Sequence, residues 1–457
     1  MSLTLKRRLE SELGADAVIS DPDLLLSYQR DWTGSWHGTA VLAVRPASTE
    51  GVAAALIACA AAEVGLVVQG GNTGLVGGAT PDNEVVLDTG ALRELGEVDR
   101  RSAQVTVGAG VKLEEAQQLA RAAGFDLGVD LAARGQATIG GMVATNAGGA
   151  MALRYGTMRA NVAGLEAALG DGRIVSRLSG LPKDNAGYDL AALLIGSEGT
   201  LGVVTKVRLA LVRKPARRVT GLLGMETLEE AVDLVAAMRD RLSGELEAAE
   251  CFDRAGLEMA CERLGLRDPL DDPSPFYLLI QVASDAQPTE LLAKALPDRY
   301  LEAMAIAEDA ARREALWTYR ESLNEAATAR GVSRKYDVSI PLAALPRFAA
   351  AVAAEVGRYD DAAFISTYGH LGDGNLHISV FELKRDGRDL DRRVANLVDR
   401  HGGTISAEHG IGRAKREILE PSRSRAEIEA MEAIKRALDP AGVLARGRVF
   451  ASQKTVL

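Results

Sequence analysis

Between residues 40 and 212, short apolar runs alternate with glycine-dense loops and helical stretches. No other feature of the chain restricts its fold as much. Residues 41–44, 66–68, 85–87 and 105–107 read as strands. Thr49 starts a helix that runs to about Val64, with Thr49 itself as the N-cap, and residues 111–123 are amphipathic and helical. Alternation of this βαβ kind predicts an α/β or α+β domain.

Three glycine tracts interrupt the pattern. Residues 70–78 (Gly70-Gly71-Asn72-Thr73-Gly74-Leu75-Val76-Gly77-Gly78) hold five glycines among nine positions. Such a loop exposes consecutive backbone N–H groups and lets them approach a phosphate. It lacks the Gly-Lys-Ser/Thr ending of a P-loop and the Gly-x-Gly-x-x-Gly spacing of a Rossmann turn. Taken alone it also reads as an ordinary strand-to-strand turn. Residues 139–149 and 195–204 form two further tracts of glycine and small side chains. Three in one domain suggest a long, flat ligand lined by backbone, for which a dinucleotide fits better than a mononucleotide.

At 457 residues the chain exceeds one ordinary domain, and two or three are expected. A net charge of −10 argues against nucleic acid as a partner. The three cysteines, Cys59, Cys251 and Cys261, are scattered without ligand spacing, so a reduced, cytoplasmic compartment is expected rather than disulfides. Residues 1–16 read as an amphipathic helix and not as a signal peptide. Because no run of about 18 apolar residues lacks charge, no membrane span is expected. Pro215 marks a boundary, after which the pattern restarts. A strand is expected at 219–223, a helix at 228–242, a strand at 276–282, helical stretches at 288–296 and 311–330, and a further helix at 342–356.

Of five histidines, three fall in two short runs near the C-terminus: His370 and His377 in residues 368–377, and His409 in Ser406-Ala407-Glu408-His409-Gly410. Asp373-Gly374 is a pair favoured at the centre of a two-residue hairpin turn. With the turn centred there, His370 faces His377, their Cβ atoms about 5 Å apart on one face, and two imidazoles can grip one ion. The alternative is a hairpin with two surface histidines. Glu408 adds a carboxylate ligand, and it shares a site with its neighbour His409 only if Gly410 marks irregular backbone. His37 and His401 read as structural or surface residues.

The tracts 70–78 and 139–149, then Asp184-Asn185-Ala186-Gly187-Tyr188-Asp189, then 196–202, closely resemble the FAD-binding (PCMH-type) domain of vanillyl-alcohol-oxidase-type flavoproteins. The likeness is strongest to their D-2-hydroxyacid dehydrogenase branch of D-lactate, D-2-hydroxyglutarate and glycolate-oxidising enzymes. Order and spacing continue through 406–412, so the resemblance covers roughly residues 40–450. It implies an α+β fold: a two-subdomain FAD-binding domain over 1–215, an α+β substrate or cap domain with a metal site over 216–410, and a C-terminal helical segment over 411–457 that packs back towards the flavin domain.

By that resemblance Gly70, Gly71, Asn72, Thr73, Gly74, Leu75 and Gly78 cradle the FAD pyrophosphate. Gly140, Gly141, Ala144, Thr145 and Asn146 line the isoalloxazine and ribityl end, and Glu198, Gly199 and Val203 the adenosine side. Neither loop offers a histidine or cysteine for covalent attachment, so non-covalent FAD is expected. The resemblance further implies zinc or another divalent metal on His370, His377 and Glu408, with His409 as the base. A metal chelated by the substrate's hydroxyl and carboxylate lowers the hydroxyl pKa, and the Cα hydride passes to flavin N5.

Arg320 and Lys335 match positions that bind substrate carboxylate, a planar fork and a point charge respectively. Asn324 stands where threonine is common and Ser379 where asparagine contacts substrate, which leaves the identity of the acid open. The run Ala445-Arg446-Gly447-Arg448 replaces the usual Asn-Pro-Gly-Lys. The implied partners are a small 2-hydroxyacid and an electron acceptor such as an electron-transfer flavoprotein, a quinone or a cytochrome, and the resemblance admits a homodimer. Two other readings keep the fold: a flavin-dependent transferase like the alkyl-glycerone-phosphate synthases, and an electron-relay subunit of a glycolate oxidase complex.

Overall fold

The computed structural model describes residues 2–242 and 244–450, and the chain divides into two compact units. The first comprises Met1–Gly148, Gly156–Lys214 and Glu408–Leu457, and the second Gly149–Tyr155 and Pro215–Ala407. The N-terminal amphipathic stretch forms a helix over Ser2–Leu13, while Met1 lies outside the described residues. Among the described residues no helix is long and apolar enough to cross a membrane.

The first unit carries two sheets. β1 (Val18–Ile19), β2 (Thr39–Val44), β3 (Leu66–Gln69) and β4 (Asp82–Asp88) form the first, in the order β1-β2-β4-β3. β4 runs parallel to both β2 and β3, and β1 is an antiparallel edge. Parallel strands need a crossover, which the helix Thr49–Ala61 supplies between β2 and β3. Its N-cap is Ser48, one residue before the position expected: Ser48 Oγ accepts the Gly51 N–H at 3.1 Å. Thr49 is drawn elsewhere, its buried hydroxyl donating to Glu166 Oε1 at 2.6 Å, a long-range partner that no local pattern reveals.

The second sheet is antiparallel. It contains β5 (Gln104–Gly108), β6 (Phe125–Leu127), β7 (Val162–Leu169), β8 (Ile174–Arg177) and β9 (Gly202–Arg213), with the long β9 pairing β5, β6 and β7. One parallel-based sheet and one antiparallel sheet make this unit α+β.

Residues 443–445 lie along β3. Val443 O accepts from Leu66 N–H, and Ala445 N–H donates back to Leu66 O, each at 2.8 Å. Val443 and Leu444 share a core with Leu42, Leu66 and Val85. The departure at Arg448 has a structural reason. This residue, 2% exposed, pairs with the equally buried Glu84: Nη1–Oε1 is 2.8 Å and Nη2–Oε2 is 2.6 Å.

The second unit is built on a seven-stranded antiparallel sheet. Its strands are β10 (Arg217–Met225), β11 (Leu246–Asp253), β12 (Phe276–Ser284), β13 (Ala305–Ala307), β14 (Arg334–Ser339), β15 (Phe364–His370) and β16 (Asn375–Phe381), in the order β13-β10-β12-β11-β15-β16-β14. β11 has no counterpart in the sequence reading, because acids at Glu247 and Glu250 break its apolar run. The helical stretch expected over 311–330 is two helices, Ala310–Glu321 and Leu323–Arg330. Between them Ser322 turns its hydroxyl back to Tyr319 O at 3.3 Å, a local bond that competes with the helical ladder. Arg320 and Asn324 therefore sit on different helices rather than one turn apart on the same one.

Candidate active site

The glycine loop 70–78 leaves β3 and presses against residues 136–138. A Cβ on Gly71 would stand 2.0 Å from Gln136 O, and one on Gly70 2.2 Å from Thr138 Oγ1, so no larger residue fits either position. From Asn72 to Gly78 no backbone N–H donates to an acceptor among the described residues. A run of such amides on a glycine-dense loop suits a polyanion, and the pyrophosphate of a dinucleotide fits that requirement.

The second tract forms the helix Ile139–Thr145. Thr138 caps it, Gly140 lies against Ala109, and Asn146 ends it in the left-handed region at φ 50°. Asn146 Oδ1 accepts from Thr157 Oγ1 and from Arg159 N–H, both at 2.9 Å, and Arg159 Nη2 in turn donates to Ile195 O of the third tract at 2.7 Å. Ala144 O accepts from Glu198 N–H at 2.8 Å, and Thr145 Oγ1 donates to Gly141 O at 3.1 Å.

In the third tract Val203 lies in the core beside Val443 and Leu444, and Gly199 takes φ 70° against Val68. The Glu198 carboxylate is spent on the protein. It accepts Ile411 N–H at 2.8 Å and Gly412 N–H at 2.7 Å, although burial pushes its carboxyl pKa up. Gly410, at φ 80°, packs onto this carboxylate, so the backbone after His409 is irregular as the sequence required. His409 Nε2 lies 3.6 Å from Glu408 Oε1.

In the second unit, β15 and β16 form the hairpin that carries the histidine pair. Its register differs from expectation. Tyr368, not His370, faces His377, and the turn is a short 3₁₀ segment, Leu371–Asp373, closed by Gly374 at φ 79°. The slip is two residues. Side chains alternate with period two, so an even slip leaves His370 on the same face as His377. The two rings are diagonal neighbours with centroids 5.7 Å apart.

Two acids that the sequence reading missed hold these histidines. Glu250 on β11, 1% exposed, stands opposite His370 and binds its Nδ1 at 2.8 Å. A carboxylate acceptor requires the proton on Nδ1, which makes Nε2 the acceptor atom of the neutral ring. Asp337 on β14 faces His377, its Oδ1 3.6 Å from Nδ1, and takes the Asn375 amide at 3.0 Å. Asp337 was findable, since it lies two residues from Lys335 on the same face of a predicted strand. Glu250 left one signal, an acid inside an apolar run. Two imidazoles and a carboxylate are donor types that suit a divalent transition ion, so the residues implied for the metal fit it by the chemistry of their donors.

Arg320 closes the constellation. It is 8% exposed, its Nε lies 2.9 Å from Glu250 Oε2, and its guanidinium stands over the Tyr368 ring at 5.1 Å. The Nε–H is not aimed at that oxygen, so charge rather than hydrogen-bond direction holds the pair. Tyr368 in turn lies 5.1 Å from the His377 ring. Glu250, His370, His377, Tyr368 and Arg320 therefore form a closed circuit of contacts. Lys335 joins it through Asn324, whose Oδ1 accepts from Lys335 Nζ at 2.8 Å and from Tyr368 Oη at 3.5 Å. Lys335 Nζ also donates to Thr328 Oγ1 at 2.7 Å and makes no ion pair among the described residues. The residue as a whole stays accessible, yet burial around the amine pulls its pKa down to about 8.

Ser379, 1% exposed, sits between Ser366 and Lys335 in the ladder, and its hydroxyl has no partner among the described residues. His37 and His401 turn to backbone carbonyls, Gly34 O at 3.1 Å and Leu397 O at 2.7 Å.

Comparison with known families accounts for both halves of the chain. Residues 40–177 match an FAD binding domain, and residues 214–449 match the C-terminal domain of FAD linked oxidases. The chain belongs to the FAD-linked oxidase family. This oxidoreductase is 36% identical over 437 residues to the mitochondrial D-2-hydroxyglutarate dehydrogenase of Danio rerio, covering 93% of this chain and 81% of that one. It is 35% identical to a putative mitochondrial D-lactate dehydrogenase of Schizosaccharomyces pombe, covering 93% and 84%. Among solved structures, p-cresol methylhydroxylase with substrate bound superposes with a TM-score of 0.75 at 16% identity, covering 98% of this chain and 97% of that one, a likeness of fold.

Proposed function

We propose that this flavoprotein oxidises a D-2-hydroxyacid to the 2-oxoacid with the help of a divalent metal. One observation carries the reading. Two cations, Arg320 and Lys335, share a cluster with a histidine pair, and Lys335 has no counter-ion among the described residues. A substrate carboxylate supplies the missing negative charge.

When bound, FAD would supply the two-electron acceptor and a divalent cation would supply positive charge that lowers the pKa of the substrate hydroxyl. Arg320 is already anchored through Nε by Glu250, and its two Nη groups offer a planar fork to a carboxylate. Lys335 favours substrates with a second carboxylate. By the resemblance, His370, His377 and Glu408 would hold the metal, and His409 would accept the hydroxyl proton. Asn324 orients Lys335 rather than binding substrate by itself, and the enclosed Ser379 hydroxyl limits the side-chain volume beside Lys335. The flavin is held without a covalent bond.

Anaerobic mixing with a panel of D- and L-2-hydroxyacids, before and after chelation and zinc repletion, tests this. Flavin bleaching by D-acids alone, lost on chelation and restored by zinc, is the expected result. Unbleached flavin across the panel with metal present refutes the activity. Reduction by His409→Ala at the wild-type rate refutes the base.

A further inference from the structure

We propose that Glu250 is a positioning residue serving two parts of the site at once. One carboxylate oxygen sets the ring of His370 and the other sets the fork of Arg320. This rests on the reading of His370 as a metal ligand and Arg320 as a carboxylate holder.

Three observations support it. Glu250 is buried to 1% exposure on a central strand, so its carboxylate is fixed by β11 rather than by solvent. Its Oε1 lies 2.8 Å from His370 Nδ1 and its Oε2 2.9 Å from Arg320 Nε, so neither contact takes the oxygen used by the other. The contact circuit then closes through Tyr368 and His377, with Arg320 over Tyr368 at 5.1 Å and the two imidazoles 5.7 Å apart.

A carboxylate on Nδ1 fixes the imidazole tautomer and raises the basicity of Nε2, the atom left for a metal. The same group offsets the charge of a buried guanidinium while leaving its terminal nitrogens for substrate. A metal ligand and a substrate anchor are thus held in register by one side chain. An acid that merely neutralised Arg320 has no reason to face the histidine in the ladder, yet Glu250 pairs with His370 directly.

The flavin-loaded, full-length protein is stripped of metal and assayed in two ways. Cobalt(II) affinity is measured by chelator competition. Oxalate affinity of the metal-free protein is measured through perturbation of flavin absorbance. Glu250→Gln is expected to weaken cobalt binding about 10- to 100-fold and oxalate binding severalfold. His370→Ala should weaken cobalt alone, and Arg320→Met oxalate alone. Glu250→Asp keeps the charge but is one methylene shorter and should not serve both partners, so at least one affinity stays impaired.

If Glu250→Gln leaves either affinity within twofold of wild type while the two single-arm variants respond, the shared role is overturned. If His370→Ala leaves cobalt affinity unchanged, the metal reading itself fails and takes the proposal with it. Should Glu250→Gln not fold, Glu250→Gln/Arg320→Met removes both buried charges and carries the cobalt measurement, with the same loss expected.

Discussion

Replacing Arg448 with methionine isolates a buried charge in the first unit. Glu84 and Arg448 are each 2% exposed and meet through two N–O contacts of 2.8 and 2.6 Å. Removing the guanidinium leaves the Glu84 carboxylate with the Asp82 N–H, 3.0 Å away, and also takes a donor from Thr80 O. Breaking one side of a buried pair costs about 3–5 kcal/mol, a large part of the roughly 5–15 kcal/mol by which a domain is stable. Val443–Ala445, which pair with Leu66 of β3, lie just before Arg448 in the chain, and β3 feeds directly into the glycine loop.

Urea unfolding of the flavin-free protein, followed through Trp32 and Trp36 of the first unit, measures the loss. The double variant Glu84→Gln/Arg448→Met provides the control. With both charges gone it should regain at least about 2 kcal/mol relative to Arg448→Met alone, because the isolated charge and not the lost contact is the main penalty. Two results refute the reasoning: a loss below about 1 kcal/mol for Arg448→Met, or a double variant no more stable than the single.

Other expectations follow from the same geometry. Lys335 is charged below a pKa of about 8, so kcat/KM for a dicarboxylic D-2-hydroxyacid should fall as pH rises past that value, approaching about tenfold per unit. D-lactate should lack this limb and Lys335→Met should abolish it. An alkaline limb common to both substrates sinks the assignment. Gly71→Ala places a methyl 2.0 Å from Gln136 O and should cost about 1–3 kcal/mol with loss of flavin. Gly74→Ala meets nothing within 4 Å and should leave the stability of the flavin-free protein near wild type. Acid precipitation should release the flavin into the supernatant, and yellow colour in the washed pellet contradicts non-covalent binding.

Much of the fold was legible because its signals are local. Strands at 41–44, 66–68, 85–87 and 105–107 and the helix Leu228–Leu242 follow from residues a few positions apart, and the glycine tracts carry their own backbone geometry. The histidine hairpin was legible to within a register slip, and alternation of faces kept both rings on one side of the sheet. The break at Ser322 and the cap at Ser48 were missed for opposite reasons. A local hydroxyl bond competed with the helix in one case, and a distant carboxylate drew Thr49 away in the other.

The sequence by itself pointed to an FAD-binding domain, an α+β scaffold and a histidine-bearing hairpin. The tertiary structure alone decided which acids hold that hairpin and where the two cations stand. Glu250 is 120 residues from His370 along the chain, and only the pairing of β11 with β15 brings them opposite each other. Strand order within a sheet is a global property, set by the burial of whole faces, and no window of neighbouring residues contains it.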